Sequence, residues 1–247
     1  MLRGVWGAAL YEVDRAVYDE VFKPPQGVVP GYLLRPVLGE RPAEPAIDWI
    51  LFGSAVDRDA TLRRAWEKAT SYGLGSARLP FGIRGWIDLG PTGRPAEGLG
   101  PWRLDRARWP IDPDAPCRLV FYTPLRLLRD GKLIAHPTLV DLAVAAWRRL
   151  AAFLPDEDQT PWRALQALLL ASARARPSRW LGYPLNLHRY SGSQETELDL
   201  RGVGGVLLLP EGVGPLAPLL VAAAWLHVGK GTVFGLGHFR CEDLTPE

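Results

Sequence analysis

Apolar side chains return at helical intervals through residues 5–22 (Val5, Trp6, Ala9, Leu10, Val13, Val17 and Val21), which predicts one amphipathic helix near the start of the chain. Its polar face carries Tyr11, Asp14, Arg15 and Tyr18. Pro24, Pro25 and Pro30 end that helix, because proline lacks the amide that a helix interior needs. Apolar runs then predict strands at residues 32–38 and 47–55. A helix is expected over 57–72, with Leu62, Ala65, Trp66 and Ala69 inward and Gly73 as a left-handed C-terminal cap. Residues 78–87 read as another strand.

Residues 88–116 hold six prolines and four glycines without a sustained period, so they read as a linker with a hairpin around 102–109. That break divides the chain into an N-terminal domain, 1–114 with the linker, and a C-terminal domain, 115–247. The second half opens on an apolar strand at 118–123 and reverses at Asp130 and Gly131. Thr138 then caps a helix, with Asp141 completing a capping box, and Thr160 and Pro161 start another that runs to about Arg176. Residues 180–190 and 195–209 read as a hairpin, 215–228 as an apolar helix and 232–241 as a glycine-rich strand. Each half follows a β-α-β-β-α-β order, so the expected fold is α+β, two tandem ferredoxin-like domains, the first lacking its opening strand.

Composition narrows the chemistry only a little. The 247 residues are 47% apolar and 23% charged, with a net charge of +2, which excludes a disordered tail and gives no overall field for a polyanion. The basic side chains are skewed, however: Lys23, Lys68, Lys132 and Lys230 are the only lysines, and the rest are arginines, planar donors suited to phosphate and to stacking on bases. Cys117 and Cys241 match no metal or redox spacing, and no apolar run reaches the roughly 18 residues of a membrane span. The expectation is a cytoplasmic protein with no membrane partner, no metal and no cofactor.

Five stretches in register carry a more specific signal. They are LRGVWGAAL at 2–10, SYGLGSAR at 71–78, FYTPLRL at 121–127, RYSGSQ at 189–194 ahead of GVGG at 202–205, and LHVGKGTVFGLGHFR at 226–240. The last resembles the closing motif of the CRISPR-associated repeat-cleaving endoribonucleases of the RAMP superfamily, and the others fall in that family's order. The arginine-rich composition is also similar to the type IV branch. The resemblance implies two RAMP ferredoxin-like domains that grip CRISPR repeat RNA, cut precursor RNA without metal and retain the crRNA beside other subunits of an effector complex.

Metal-free cleavage of RNA uses the neighbouring 2′-hydroxyl as nucleophile, so the protein must supply a base, an acid and donors for the phosphate. Many members of the family carry a histidine on or near the first helix, where this chain has Ala8 after Gly7. Either a distant histidine such as His227 folds in, or cutting relies on Arg3, Tyr11, Arg15 and Tyr18, of which the last three share one helical face. For RNA contact, Gly229, Gly231, Gly235 and Gly237 offer close backbone approach, with Lys230, Thr232, His238 and Arg240 around them. Arg174, Arg176 and Arg179 suit the phosphates of a hairpin, and His188 and Arg189 suit a base or a phosphate. The alternative is a crRNA-binding subunit without catalysis.

Overall fold

A computed structural model describes residues 2–25, 28–37, 46–75, 77–96, 100–153, 160–191 and 196–244. At Pro36, Thr160, 188–191 and 196–199 it describes the backbone only. The chain divides into two compact units, Met1–Val37 with Pro45–Arg103, and a second that contains Leu104–Glu247.

In the first unit, α1 (Leu2–Val13) and α2 (Arg15–Phe22) replace the single helix expected over 5–22. The break is chemical. Asp14 turns extended (φ −160°, ψ 103°) and its carboxylate accepts from the Val17 amide at 3.0 Å, capping α2 instead of continuing α1. β1 (Tyr32–Pro36) and β2 (Ile47–Leu51) pair antiparallel, and after a 3-10 turn α3 (Asp59–Ala69) packs on α1. Trp6 is wholly buried among Phe22, Tyr32, Trp49 and Trp66, with ring centroids 5.0–5.7 Å away. A buried aromatic cluster of this kind adds about 0.5–1.5 kcal/mol per ring pair beyond area burial. The strand expected over 78–87 does not form: Pro80, Gly82 and Gly85 interrupt it, Leu79 and Ile87 lie exposed, and only an isolated Leu74–Leu79 bridge remains. The hairpin expected at 102–109 is instead a 3-10 turn over Leu104–Arg106.

The second unit builds one antiparallel four-stranded sheet. β3 (Cys117–Leu125) leads to a two-residue hairpin of β4 (Leu128–Arg129) and β5 (Lys132–Leu133), whose Asp130 and Gly131 both take positive φ, 51° and 76°. α4 (Leu139–Ala151) starts at the expected Thr138–Asp141 capping box, and α5 (Thr160–Ala175) follows. β6 (Arg179–Leu185), β7 (His188–Ser191), β8 (Thr196–Asp199) and β9 (Gly202–Leu209) form the long hairpin, with β7 and β8 paired apart from the main sheet. α6 (Ala217–Leu226) and β10 (Phe239–Asp243) complete the unit. The order β10-β3-β9-β6 puts the first and third long strands in the centre, the ferredoxin-like arrangement.

Leu119, Leu207, Leu209 and Phe239 on one sheet face pack against Leu139, Leu142 and Leu220 of the helices. The Cys241 thiol hydrogen-bonds Cys117 across β10 and β3, which lowers the pKa of Cys117 and raises that of Cys241. Among the described residues, no helix is long and apolar enough to cross a membrane.

Candidate functional site

The α1–α2 surface keeps the tyrosines and arginines together despite the helix break. Gly7 lets the two helices close, since a Cβ there would lie 2.6 Å from the Phe22 ring. Tyr18 stacks on Phe22 at 5.3 Å, and Tyr11 meets Tyr18 edge-on at 5.2 Å. The exposed Arg15 guanidinium lies 5.1 Å from the Tyr11 ring. Arg3 differs: its Nε donates to the buried Tyr32 hydroxyl at 2.7 Å and its guanidinium sits 4.9 Å from the Phe22 ring, so it ties α1 to β1. Ala8 is exposed one turn before Tyr11 and Glu12. The surface thus offers a cation and a phenol, chemistry for holding a phosphate and moving a proton.

In the second unit the glycine-rich segment, expected as a strand over 232–241, is a chain of tight turns that becomes strand only at Phe239. Gly231 and Gly235 take φ 80° and 82° on either side of a 3-10 turn, Thr232–Phe234. Gly229 and Gly237 also have positive φ, and a Cβ at Gly237 would collide with the Val228 carbonyl. Five amides here are already used: Lys230 donates to the Arg126 carbonyl at 2.9 Å, Phe234 and Leu236 to that of Gly231 at 2.9 and 3.4 Å, Gly235 to that of Thr232 at 2.8 Å and Gly237 to that of Pro124 at 2.9 Å. Thr123 completes the clasp, its hydroxyl donating to the Gly235 carbonyl at 2.7 Å and accepting from the His238 amide at 2.8 Å. Gly235 and Gly237, expected to offer close approach to RNA, make their close backbone contacts here within the protein itself. Both are buried, as is Thr232, while Gly229 and Gly231 are half-buried and Lys230 is exposed.

The two histidines of this segment, expected at the reaction or the RNA, lie in the core. His227 is 0% exposed and His238 3%, their rings stack at 5.0 Å, and His227 Nδ1 lies 3.1 Å from the Leu236 carbonyl oxygen. His227 also takes φ 57° and ψ 165°, a region that belongs to glycine. Just before it, the buried Arg149 of α4 donates to the Leu226 carbonyl at 3.0 Å, and burial pulls its pKa down to about 10.

Outward from His238 come Tyr122, 5.7 Å away, and the exposed Arg240, 5.4 Å from the Tyr122 ring. Burial and the hydrogen bond to Glu242 raise the Tyr122 pKa. Arg174 and Arg179, candidates for phosphate contact, are exposed. Arg176 is not available in the same way: it donates to the Asp114 carboxylate at 2.8 Å and to the Glu211 carbonyl, and lies across Gly214. His188 and Arg189 fall on β7, whose side chains lie outside the described residues. The sequence reading missed Tyr122, Thr123 and Arg149, although the first two stand inside the FYTPLRL stretch.

Residues 119–239 match the family model for the CRISPR-associated endoribonuclease Cas6. The whole fold is similar to solved structures. A Cas6 (TTHA0078) product complex is 20% identical, with 97% of this chain and 92% of that chain covered and a TM-score of 0.58. A Cas6 (TTHB231) product complex is 15% identical, with coverages of 97% and 91% and a TM-score of 0.62. Thermus thermophilus Cas6 (TTHB231) is 14% identical, with coverages of 97% and 89% and a TM-score of 0.55. None of the curated proteins matches the sequence.

Proposed function

Because residues 119–239 match the family of CRISPR-associated endoribonucleases, Cas6, we propose that this chain binds CRISPR repeat RNA and processes pre-crRNA. The match over the unit that carries the glycine-rich segment is the observation that supports this reading. The cut is made without metal: a 2′-hydroxyl attacks the adjacent phosphate, leaving a 2′,3′-cyclic phosphate and a 5′-hydroxyl. On this reading Arg15 neutralises the crowded phosphate, and Tyr11 relays the proton lost by the attacking 2′-hydroxyl to the departing 5′-oxygen as the phosphorus–5′-oxygen bond breaks, with Tyr18 packing behind it and Arg3 fixing the helix. Lys230, Arg174, Arg179 and Arg240 hold the RNA backbone, and the cleaved crRNA stays bound for other subunits of a cytoplasmic effector complex.

Incubating the protein with repeat RNA in EDTA tests this. The expected result is one cut with a cyclic phosphate end, lost when the scissile 2′-hydroxyl is replaced by hydrogen. A cut that needs Mg²⁺, or one that survives the deoxy substitution, overturns the mechanism. The second reading, a crRNA-binding subunit without catalysis, is favoured by the burial of His227 and His238 and by Ala8 on α1. Tight repeat binding with no cut by the natural sequence selects it.

A further inference from the structure

One face of the second unit's sheet packs on the helices, and the other carries a pattern of its own. Register places Arg240 opposite Val120, Val120 opposite Val206 and Val206 opposite Leu181, a row across all four strands. Two residues along the strands from this row stand Tyr122 on β3 and Tyr183 on β6, and on the other side stands Arg179. Tyr183 is 60% exposed, Leu181 43% and Tyr122 36%, so large apolar surface is left in water on a sheet.

Two details give the face a direction. Tyr183 pairs with Gly204, and a Cβ there would lie 3.2 Å from the tyrosine Cζ, so the ring lies down on the strand with its outer side open. Charge on the face is positive: Arg179 and Arg240 make no ion pair among the described residues, while Glu242 is occupied by Arg118 at 2.8 Å and by the Tyr122 hydroxyl at 2.9 Å. Tyr122 and Tyr183 stand two strands apart, about 10 Å, the span of about three base steps.

Resting on the RNA-binding reading above, we propose that this sheet face is a platform for single-stranded RNA. Tyr183 and Tyr122 take bases, and Arg179 and Arg240 take phosphates beside them. Duplex RNA keeps its bases stacked internally, whereas a single strand offers a π-face at every base, so exposed rings beside cations select the single strand and tolerate its sequence. The platform would hold unpaired RNA flanking a repeat hairpin.

The test compares the full chain with Tyr183→Ala, Tyr183→Phe and Arg179→Ala on two probes, a ten-nucleotide oligouridylate RNA and a repeat hairpin without flanks. Tyr183→Ala should weaken oligouridylate binding about 5- to 150-fold and weaken hairpin binding less, while Tyr183→Phe retains affinity. Arg179→Ala should lower the salt dependence of oligouridylate binding by about one counterion. If the natural protein binds both RNAs and Tyr183→Ala matches it, the platform falls and the face is left to a protein partner. Equal losses on both probes, or hairpin binding without any oligouridylate binding, also overturn the platform alone. No binding to either RNA overturns the functional reading together with the platform.

Discussion

At His227, φ is 57° and ψ 165°, a conformation that costs a side chain about 1–3 kcal/mol. The Leu236 contact and the His238 stack hold it there. Removing the ring while keeping a Cβ loses the contacts and keeps the strain, so His227→Ala should destabilise the protein by about 1–3 kcal/mol. His227→Gly should recover about 1 kcal/mol of that loss, because glycine adopts this conformation freely. Urea denaturation of the two variants reads the difference, and equal stabilities would show that the backbone is not strained. Arg15 calls for a different measurement, since its guanidinium is exposed and its described contact is to the Tyr11 ring of α1. Arg15→Ala should slow repeat cleavage about a hundredfold while reducing binding only by one phosphate contact. Cleavage at the natural rate would take α1 and α2 out of the reaction.

Individual elements differ in how local their cause is. The Thr138–Asp141 capping box, the Asp130–Gly131 turn and the Leu62–Trp66 stripe were legible because each depends on neighbours within a few residues. The helix break was not, since the apolar period runs through Asp14 and only its side chain, bonding the Val17 amide, decides for a cap. Asp14→Ala should therefore cost about 0.5–2 kcal/mol by removing that cap. Thermal melting with aromatic circular dichroism should show both the loss of stability and a changed Tyr11–Tyr18 contact. A variant with unchanged melting would mean that the cap contributes nothing. The strand expected over 78–87 failed for the opposite reason: β-formers are present, but Pro80, Gly82 and Gly85 leave no continuous edge to pair.

Across the whole molecule, the ferredoxin-like expectation holds for the second unit, whose sheet has the order β10-β3-β9-β6, while the described part of the first unit has one antiparallel strand pair. Exposure was legible where it follows from local charge, as at Arg15, Arg179, Lys230 and Arg240. Burial and pairing at His227, His238, Gly237 and Arg176 were not, because contact with a segment distant in sequence leaves no periodic trace.

The interleaving of β10 with β3 has a consequence during synthesis. β3 is made early in the second unit, yet one of its two hydrogen-bonding edges finds its partner only when residues 239–243 leave the ribosome. The clasp of Thr123 on Gly235 and His238 waits for the same moment. A nascent chain therefore carries an unsealed strand until the last part of the unit emerges, and the Arg240 edge of the surface proposed to hold RNA is added only after translation has passed the glycine-rich segment.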